Sequence, residues 1–147
     1  MYYEDFYPGQ EFTSQARTIT ESDVVSFACW SWDTNPVHTD AESAGQGRFG
    51  ERIAHGLLGI SVAMGLASRL GIFEGSSIAL LGVENWRFVA PILIGDSLRC
   101  NVRIIDTSLT SKQDAGVLRR RFTLVNQRDD TVQQGDIALM VARRPAT

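Results

Sequence analysis

Both histidines of this chain fall between Asp33 and Gly56, and the residue types around them are those that move protons. The first cluster reads Asp33-Thr34-Asn35-Pro36-Val37-His38-Thr39-Asp40. Asp33 and His38 stand five positions apart across a rigid Asn-Pro turn, a spacing that lets both point into one cleft. Imidazole titrates near neutrality, and a carboxylate can orient it or share its proton, so the pair suits general acid–base catalysis. Each residue also has a structural use. Asp and Asn before proline are common turn formers, and a single histidine is often only a hydrogen-bonded structural side chain.

The second cluster is Phe49-Gly50-Glu51-Arg52-Ile53-Ala54-His55-Gly56-Leu57. Glycine lets a backbone amide approach a ligand because no side chain stands in the way. The first amides of a helix lack intrahelical partners and carry partial positive charge. A helix beginning at Gly56 would therefore offer an amide to a developing oxyanion. Gly56 serves equally to let a helix pack close to a sheet, and His55 serves equally as a structural cap. Ser61 sits in Gly59-Ile60-Ser61-Val62-Ala63, which falls short of the GxSxG nucleophile elbow and lies in a helical run. It is expected to pack or to donate one hydrogen bond. Trp30 and Trp32 flank the first cluster, where core packing is their expected use and substrate contact the second. Arg119, Arg120 and Arg121 read as a solvated strand segment that would also suit the phosphates of an anionic cofactor. No HExxH or CxxC spacing is present, so no metal site is expected. Nor is there a GxGxxG or Walker pattern for a nucleotide.

Periodicity indicates the elements that must hold these clusters. Residues 11–19 form a polar, β-tolerant run and predict one strand. Thr20 with Asp23 marks a helix start, with Val24, Val25, Phe27, Ala28 and Trp30 continuing it. Asn35-Pro36 is expected to end regular structure, because proline lacks an N–H and pushes Asn35 out of the α region. Thr39 with Glu42 predicts a second cap before a short helix over residues 41–44, and Gly45, Gly47 and Gly50 predict a loop after it. The main helix is expected to start near His55. Gly56, Gly59, Ala63 and Ala67 share one of its faces, while Leu57, Leu58, Val62, Leu66 and Leu70 supply bulk on the others. Such a helix should be wrapped by the rest of the protein.

Downstream the period becomes two. Leu98, Cys100, Val102 and Ile104 alternate with polar residues, as do Trp86, Phe88 and Ala90 over residues 85–90. Leu118, Phe122 and Leu124 belong to a third strand, and Ile137, Leu139 and Val141 to a fourth. Turns are expected over residues 91–96, 112–116 and 127–130. Long strands with short connections favour an antiparallel meander. The simplest architecture is α+β, one long helix packed across a curved antiparallel sheet, in a single domain over residues 1–147.

Composition fits that reading and removes several functions. The chain has 147 residues and 16.2 kDa, with 44% apolar and 21% charged residues. That is long enough for one core and too rich in apolar residues for a disordered chain. There are 14 Lys and Arg against 17 Asp and Glu, giving a net charge of −3 and a pI of about 5.3. A nucleic-acid binder usually carries a basic excess, so none is expected as partner. The longest apolar stretch, residues 53–73, is broken by His55, Ser61, Ser68, Arg69 and several glycines, and is expected as a buried helix rather than a membrane span. Cys29 and Cys100 both read as core thiols rather than a disulfide. With no signal sequence legible, a cytoplasmic protein is expected.

The two clusters in combination resemble the MaoC-like dehydratase family, which includes the (R)-specific enoyl-CoA hydratases. The stretches that carry the resemblance are residues 33–40, Ala44, Phe49-Gly50 and Ile53-Ala54-His55-Gly56-Leu57-Leu58. Phe88-Val89-Ala90-Pro91, Gly95-Asp96 and Val125-Asn126-Gln127 extend it through the sheet. The resemblance implies a hot-dog fold, a central helix wrapped by a sheet, and a homodimer or higher homo-oligomer with an acyl thioester bound near the interface. It implies Asp33 and His38 as the catalytic pair, Asn35 as the polar residue assisting them, and Gly56 as amide donor to the thioester oxygen. His55, Trp32 and Ser61 stand beside these positions as candidate substrate contacts. The implied reaction is reversible addition of water to a trans-2-enoyl thioester, giving an (R)-3-hydroxyacyl thioester. No separate cofactor is implied, since coenzyme A or an acyl-carrier phosphopantetheine arrives as part of the substrate. The family commonly has glycine before the catalytic Asp, where this chain has Trp32; a ring there would reshape the acyl pocket. Two other readings are a hot-dog thioesterase and a non-catalytic acyl-thioester-binding subunit. The main helix contains no Asp or Glu, which opposes the first. A pure binder has no need of Asp33, Asn35 and His38, which opposes the second.

Overall fold

The computed structural model describes residues 1–146. After a 3₁₀ turn at Tyr3–Asp5, two short strands appear where one was expected, β1 (Glu11–Thr13) and β2 (Arg17–Thr18). Ser14 interrupts them by turning its N–H to the Cys100 carbonyl and accepting the Cys100 N–H on its hydroxyl. The remaining strands are β3 (Ser77–Phe88), β4 (Ser97–Leu109), β5 (Ala115–Val125) and β6 (Thr131–Ala142). All pairings are antiparallel, in the order β1-β4-β5-β6-β3, with β2 on β4. Alternation explains the three central strands. Leu98, Cys100, Val102 and Ile104 of β4 are buried, as are Leu118, Phe122 and Leu124 of β5 and Ile137, Leu139 and Val141 of β6. Against the expectation of a solvated run, the same alternation carries Arg120 inward while Arg119 is exposed.

Strand β3 begins well before the expected residue 85. It is an edge strand, paired only with β6, and three register shifts break its alternation. Ile78, Leu80, Leu81, Val83 and Phe88 are all exposed along it, so Phe88 does not face inward as its period suggests.

The main helix, α4, spans Gly56–Ser68, after the shorter helices α1 (Glu21–Ser31), α2 (Pro36–Thr39) and α3 (Ala41–Gln46). Its small residues meet the sheet side as expected. A Cβ on Gly59 would lie 2.1 Å from Nε2 of Gln133, so the backbone itself packs there. The helix is not wrapped all round, however. One sheet covers one side, and Leu57, Ser61, Gly65 and Ser68 remain exposed on the other.

The α1 cap forms as expected: the Thr20 hydroxyl accepts from the Asp23 N–H, and Asp23 accepts from the Thr20 N–H. Burial works against the Asp23 charge, but the Thr20 N–H, the Thr20 hydroxyl and Arg17 outweigh it and hold its carboxyl below the usual range. Two capping expectations need correction. Pro36 starts α2 rather than ending structure, because its missing N–H costs nothing at a first helical position. The α3 cap is Asp40, which accepts from the Glu42 and Ser43 N–H groups, while the Thr39 hydroxyl donates to Thr34 and Asn35 carbonyls. Both cysteines are free, but Cys29 is exposed at the surface of α1 and only Cys100 is core, where burial pushes its thiol up to about 12. Among the described residues no helix is long and apolar enough to cross a membrane.

Candidate active site

The segment from α1 to the start of α4 lies over one end of the sheet and brings the two clusters together. Asn35 Oδ1 accepts from the Val37 N–H, which starts α2 and places His38 on its single turn. The Ile53 N–H donates to the Val37 carbonyl at 3.1 Å, and the Ala54 N–H donates to Ile92 at 2.8 Å. These bonds strap the second cluster between the first and the sheet.

His38 and His55 are both buried and stack, with ring centroids 3.7 Å apart. Their tautomers follow from their partners, since a carbonyl oxygen can only accept. His38 Nδ1–H donates to the Ile53 carbonyl at 2.7 Å, which leaves the Nε2 lone pair free. His55 Nε2–H donates to the Asp33 main-chain carbonyl at 2.8 Å, and its buried Nδ1 has no partner. Phe27 of α1 closes the other side of His55, with ring centroids 4.9 Å apart. The free His38 Nε2 lies 4.0 Å from Asp33 Oδ2, whose side chain is 54% exposed. One oxygen atom of a water fits between them within hydrogen-bond reach of both.

Gly56 is the first residue of α4, and His55 occupies its N-cap position without a side-chain capping bond. The Gly56 carbonyl accepts from Gln133 Nε2 at 3.1 Å, and Gln133 Oε1 accepts from Trp86 Nε1 at 3.1 Å. A Cβ on Gly56 would meet the Phe88 ring at 2.7 Å. The helix start is thus fixed to β3 and β6, and its amide direction with it. The sequence pointed to Trp86 and Phe27 only as members of a strand and a helix, and not to Gln133 at all. Gln133 is legible only once β6 is known to bury that position.

The other candidates separate. Asn35 lies beside the pair but spends its carbonyl oxygen on the α2 cap. Ser61 is exposed and donates to the Leu57 carbonyl, one turn back in α4. Trp30 and Trp32 are 87% and 88% exposed, so neither is a core side chain. Trp32 ends α1 with φ of 64°, in the left-handed region that favours glycine. A glycine at the position before Asp33 would adopt that conformation without strain. A groove of about 1200 Å³ runs along the uncovered side of α4, past Trp30, Phe27, Leu58 and Ser61 to Arg69. Asp33, His38 and His55 also present one ligand atom each within 4.8 Å of one another.

A MaoC like domain matches residues 5–125. Protein MaoC of Klebsiella aerogenes is 41% identical over 98 residues, which is 67% of this chain and 29% of that protein's length. An (R)-specific enoyl-CoA hydratase of Rhodospirillum rubrum is 33% identical over 143 residues, covering 97% of this chain and 93% of that one. The crystal structure of a MaoC-like dehydratase from Rhodospirillum rubrum superposes with a TM-score of 0.89 at 25% identity, covering 99% of each chain. The sheet, the helix across it and these matches define a hot-dog protein. This chain belongs to the MaoC-like dehydratase family.

Proposed function

We propose that the protein is a hydratase and dehydratase of acyl thioesters, interconverting trans-2-enoyl and (R)-3-hydroxyacyl forms. The observation that carries this reading is the free His38 Nε2 facing Asp33 Oδ2 across 4.0 Å, with Nδ1 anchored on Ile53. A water held there donates one O–H to each group. In hydration its oxygen bonds to C3 and its proton passes to His38 Nε2. The electrons of the C2–C3 double bond move onto the thioester oxygen, which faces the Gly56 amide. They return as the imidazolium delivers the proton to C2. Asp33 holds the water and offsets the transient charge on His38. A positioned proton-transfer group is typically worth about 10²–10⁴-fold, and one oxyanion donor about 10²–10³-fold. His55 is then a positioning residue, since its ring backs His38 and its Nε2–H bonds the Asp33 main chain.

The substrate brings coenzyme A or phosphopantetheine with it, and no further cofactor takes part. The active form is a homodimer. Strand β3 leaves one edge unpaired and exposes Ile78, Leu80, Leu81, Val83 and Phe88, which a second copy would cover. The names of the relatives support the hydratase reading over the thioesterase one, and α4 carries no carboxylate. The test is loss of enoyl absorbance on hydration of trans-2-enoyl-CoA over a panel of chain lengths, with free thiol followed in parallel. Hydration without thiol release is expected. Thiol release without hydration would replace this reading with a thioesterase.

A further inference from the structure

Strand β5 turns Leu118, Phe122 and Leu124 into the core, and Arg120 stands in the same row at 1% exposure. Its guanidinium lies between the Phe73 and Phe122 rings, 4.9 and 5.0 Å from their centroids. Nε donates to the Ile137 carbonyl at 3.2 Å, while Nη2 is buried without a partner. The ion pairs of this strand belong to Arg119 and Arg121, which reach Glu84 and Asp136, and among the described residues none reaches Arg120. Burial pushes its pKa down to about 10, which leaves it charged at neutral pH. An uncompensated buried charge is costly, and an apolar side chain would complete the row without it. The two ring faces and one main-chain bond offset part of that cost, and the buried Nη2 without a partner is the part left unmet.

Arg120 forms part of the wall of a cavity of about 390 Å³, with Met64, Ala67 and Leu139 as apolar neighbours and Ser68, Ser77 and Glu74 as polar ones. We infer that this cavity binds a carboxylate, with Arg120 as its counter-ion. The guanidinium fork matches a carboxylate in shape. Glu74 on the same wall opposes a bound anion, so with Arg120 as the one cation of the lining the site holds no more than a monoanion, and a phosphate dianion would need a second cation. Two sources supply this chemistry: a small free carboxylate, or a carboxylate ending the acyl chain of the thioester. Ala67 lies on the same face of α4 as Gly56, eleven residues on, or about 16 Å at 1.5 Å per residue. A long acyl chain held at Gly56 spans that distance. The second source rests on the hydratase reading, and the first does not.

The experiment has two arms, both on the full chain. The first measures thermal unfolding in acetate against chloride at equal ionic strength. The wild type should rise by several degrees in acetate, Arg120→Lys by less, and Arg120→Met not at all, while Arg120→Met melts no lower than the wild type in chloride. The second arm compares trans-2-enoyl-CoA substrates ending in a carboxylate or a methyl group. A substrate carboxylate on Arg120 would favour the acid-ended chain in kcat/KM by about 10- to 100-fold, the worth of a charge-assisted hydrogen bond, and Arg120→Met would reverse the preference. An acetate response without chain preference assigns the site to a free carboxylate. The inference is overturned if the wild type shows neither effect, or if Arg120→Met retains either. It is overturned too if Arg120→Met fails to fold or dissociates the assembly with no acetate response in the wild type, since the charge would then be structural or met by the partner. Hydration of neither chain would overturn the hydratase reading and leave the acetate arm to decide the site.

Discussion

The two ends of α4 handle buried polarity in opposite ways. At the start, His38 and His55 are stacked inside the protein, each with one N–H on a main-chain carbonyl. At the far end, Arg120 is a buried charge with one main-chain bond and, among the described residues, no carboxylate partner. A neutral imidazole costs little to bury once one nitrogen is bonded, and it leaves a lone pair for chemistry. A guanidinium cannot be neutralised so easily, so its burial calls for an anion. In the proposed reading the first end needs only a water for proton transfer, while the second takes an anionic ligand. The difference teaches that burial alone does not identify an active group; what matters is which lone pair or charge the fold leaves unspent.

The largest effect should separate the ends cleanly. His38→Gln retains a polar side chain of similar reach but removes the titrating nitrogen. Hydration turnover should fall by about 10²–10⁴-fold, with the acetate response at Arg120 intact. Steady-state kinetics and thermal unfolding of one preparation check both halves, and loss of the acetate response as well would break the separation.

Gly59→Leu lies between the ends and tests whether one rigid helix joins them. Its side chain would enter the space of Gln133, and overpacking of this kind costs about 1–3 kcal/mol. Denaturant unfolding should show that loss, with activity per folded molecule reduced less than stability. An unchanged midpoint would mean that α4 can move away from the sheet, and that the two ends are not held at a fixed distance.

Smaller changes bracket α1, which delivers Asp33. Thr20→Ala removes the α1 cap and should cost about 0.5–2 kcal/mol. The carboxyl of Asp23 is held below its usual range in the fold, so its contribution is present above the unfolded pKa of about 3.9 and lost as pH falls through the folded value. Asp23→Asn should therefore lower stability at neutral pH and converge with the wild type in acid, as thermal unfolding across pH would show. Trp32→Gly should act in the other direction, stabilising by about 1 kcal/mol because a left-handed residue with a side chain is strained. A lower melting temperature would mean that the exposed ring makes contacts that outweigh the strain.

That Asp33, His38 and Gly56 come together at one end of α4 was legible in sequence because the signals are local. Asp33, Asn35-Pro36, His38 and His55-Gly56 lie within one short stretch, and the Thr20 cap before them is set by a box of four residues. The central strands were legible for the same reason, as period two needs only neighbours. What was not legible depends on partners distant in sequence. Arg120 sits in phase with Leu118 and Phe122, yet its charge argued for solvent, and only the rings of Phe73 and Phe122 explain how it is housed. The first half of β3 lacks alternation because it is an edge with register shifts and apolar residues on open faces. Pro36 read as a stop because proline is excluded from helix interiors, but at a first helical position it is favoured.

The central claim is that Asp33 and His38 act on one water as a unit, and a double-mutant cycle tests it most directly. Asp33→Asn, His38→Gln and the double variant would be assayed for hydration of one trans-2-enoyl-CoA under saturating conditions, each shown to be folded. The account predicts that the double variant is only slightly slower than the poorer single variant, because groups that work together are lost together. Losses that multiply would mean separate roles, and near-wild-type hydration in either single variant would contradict the account outright.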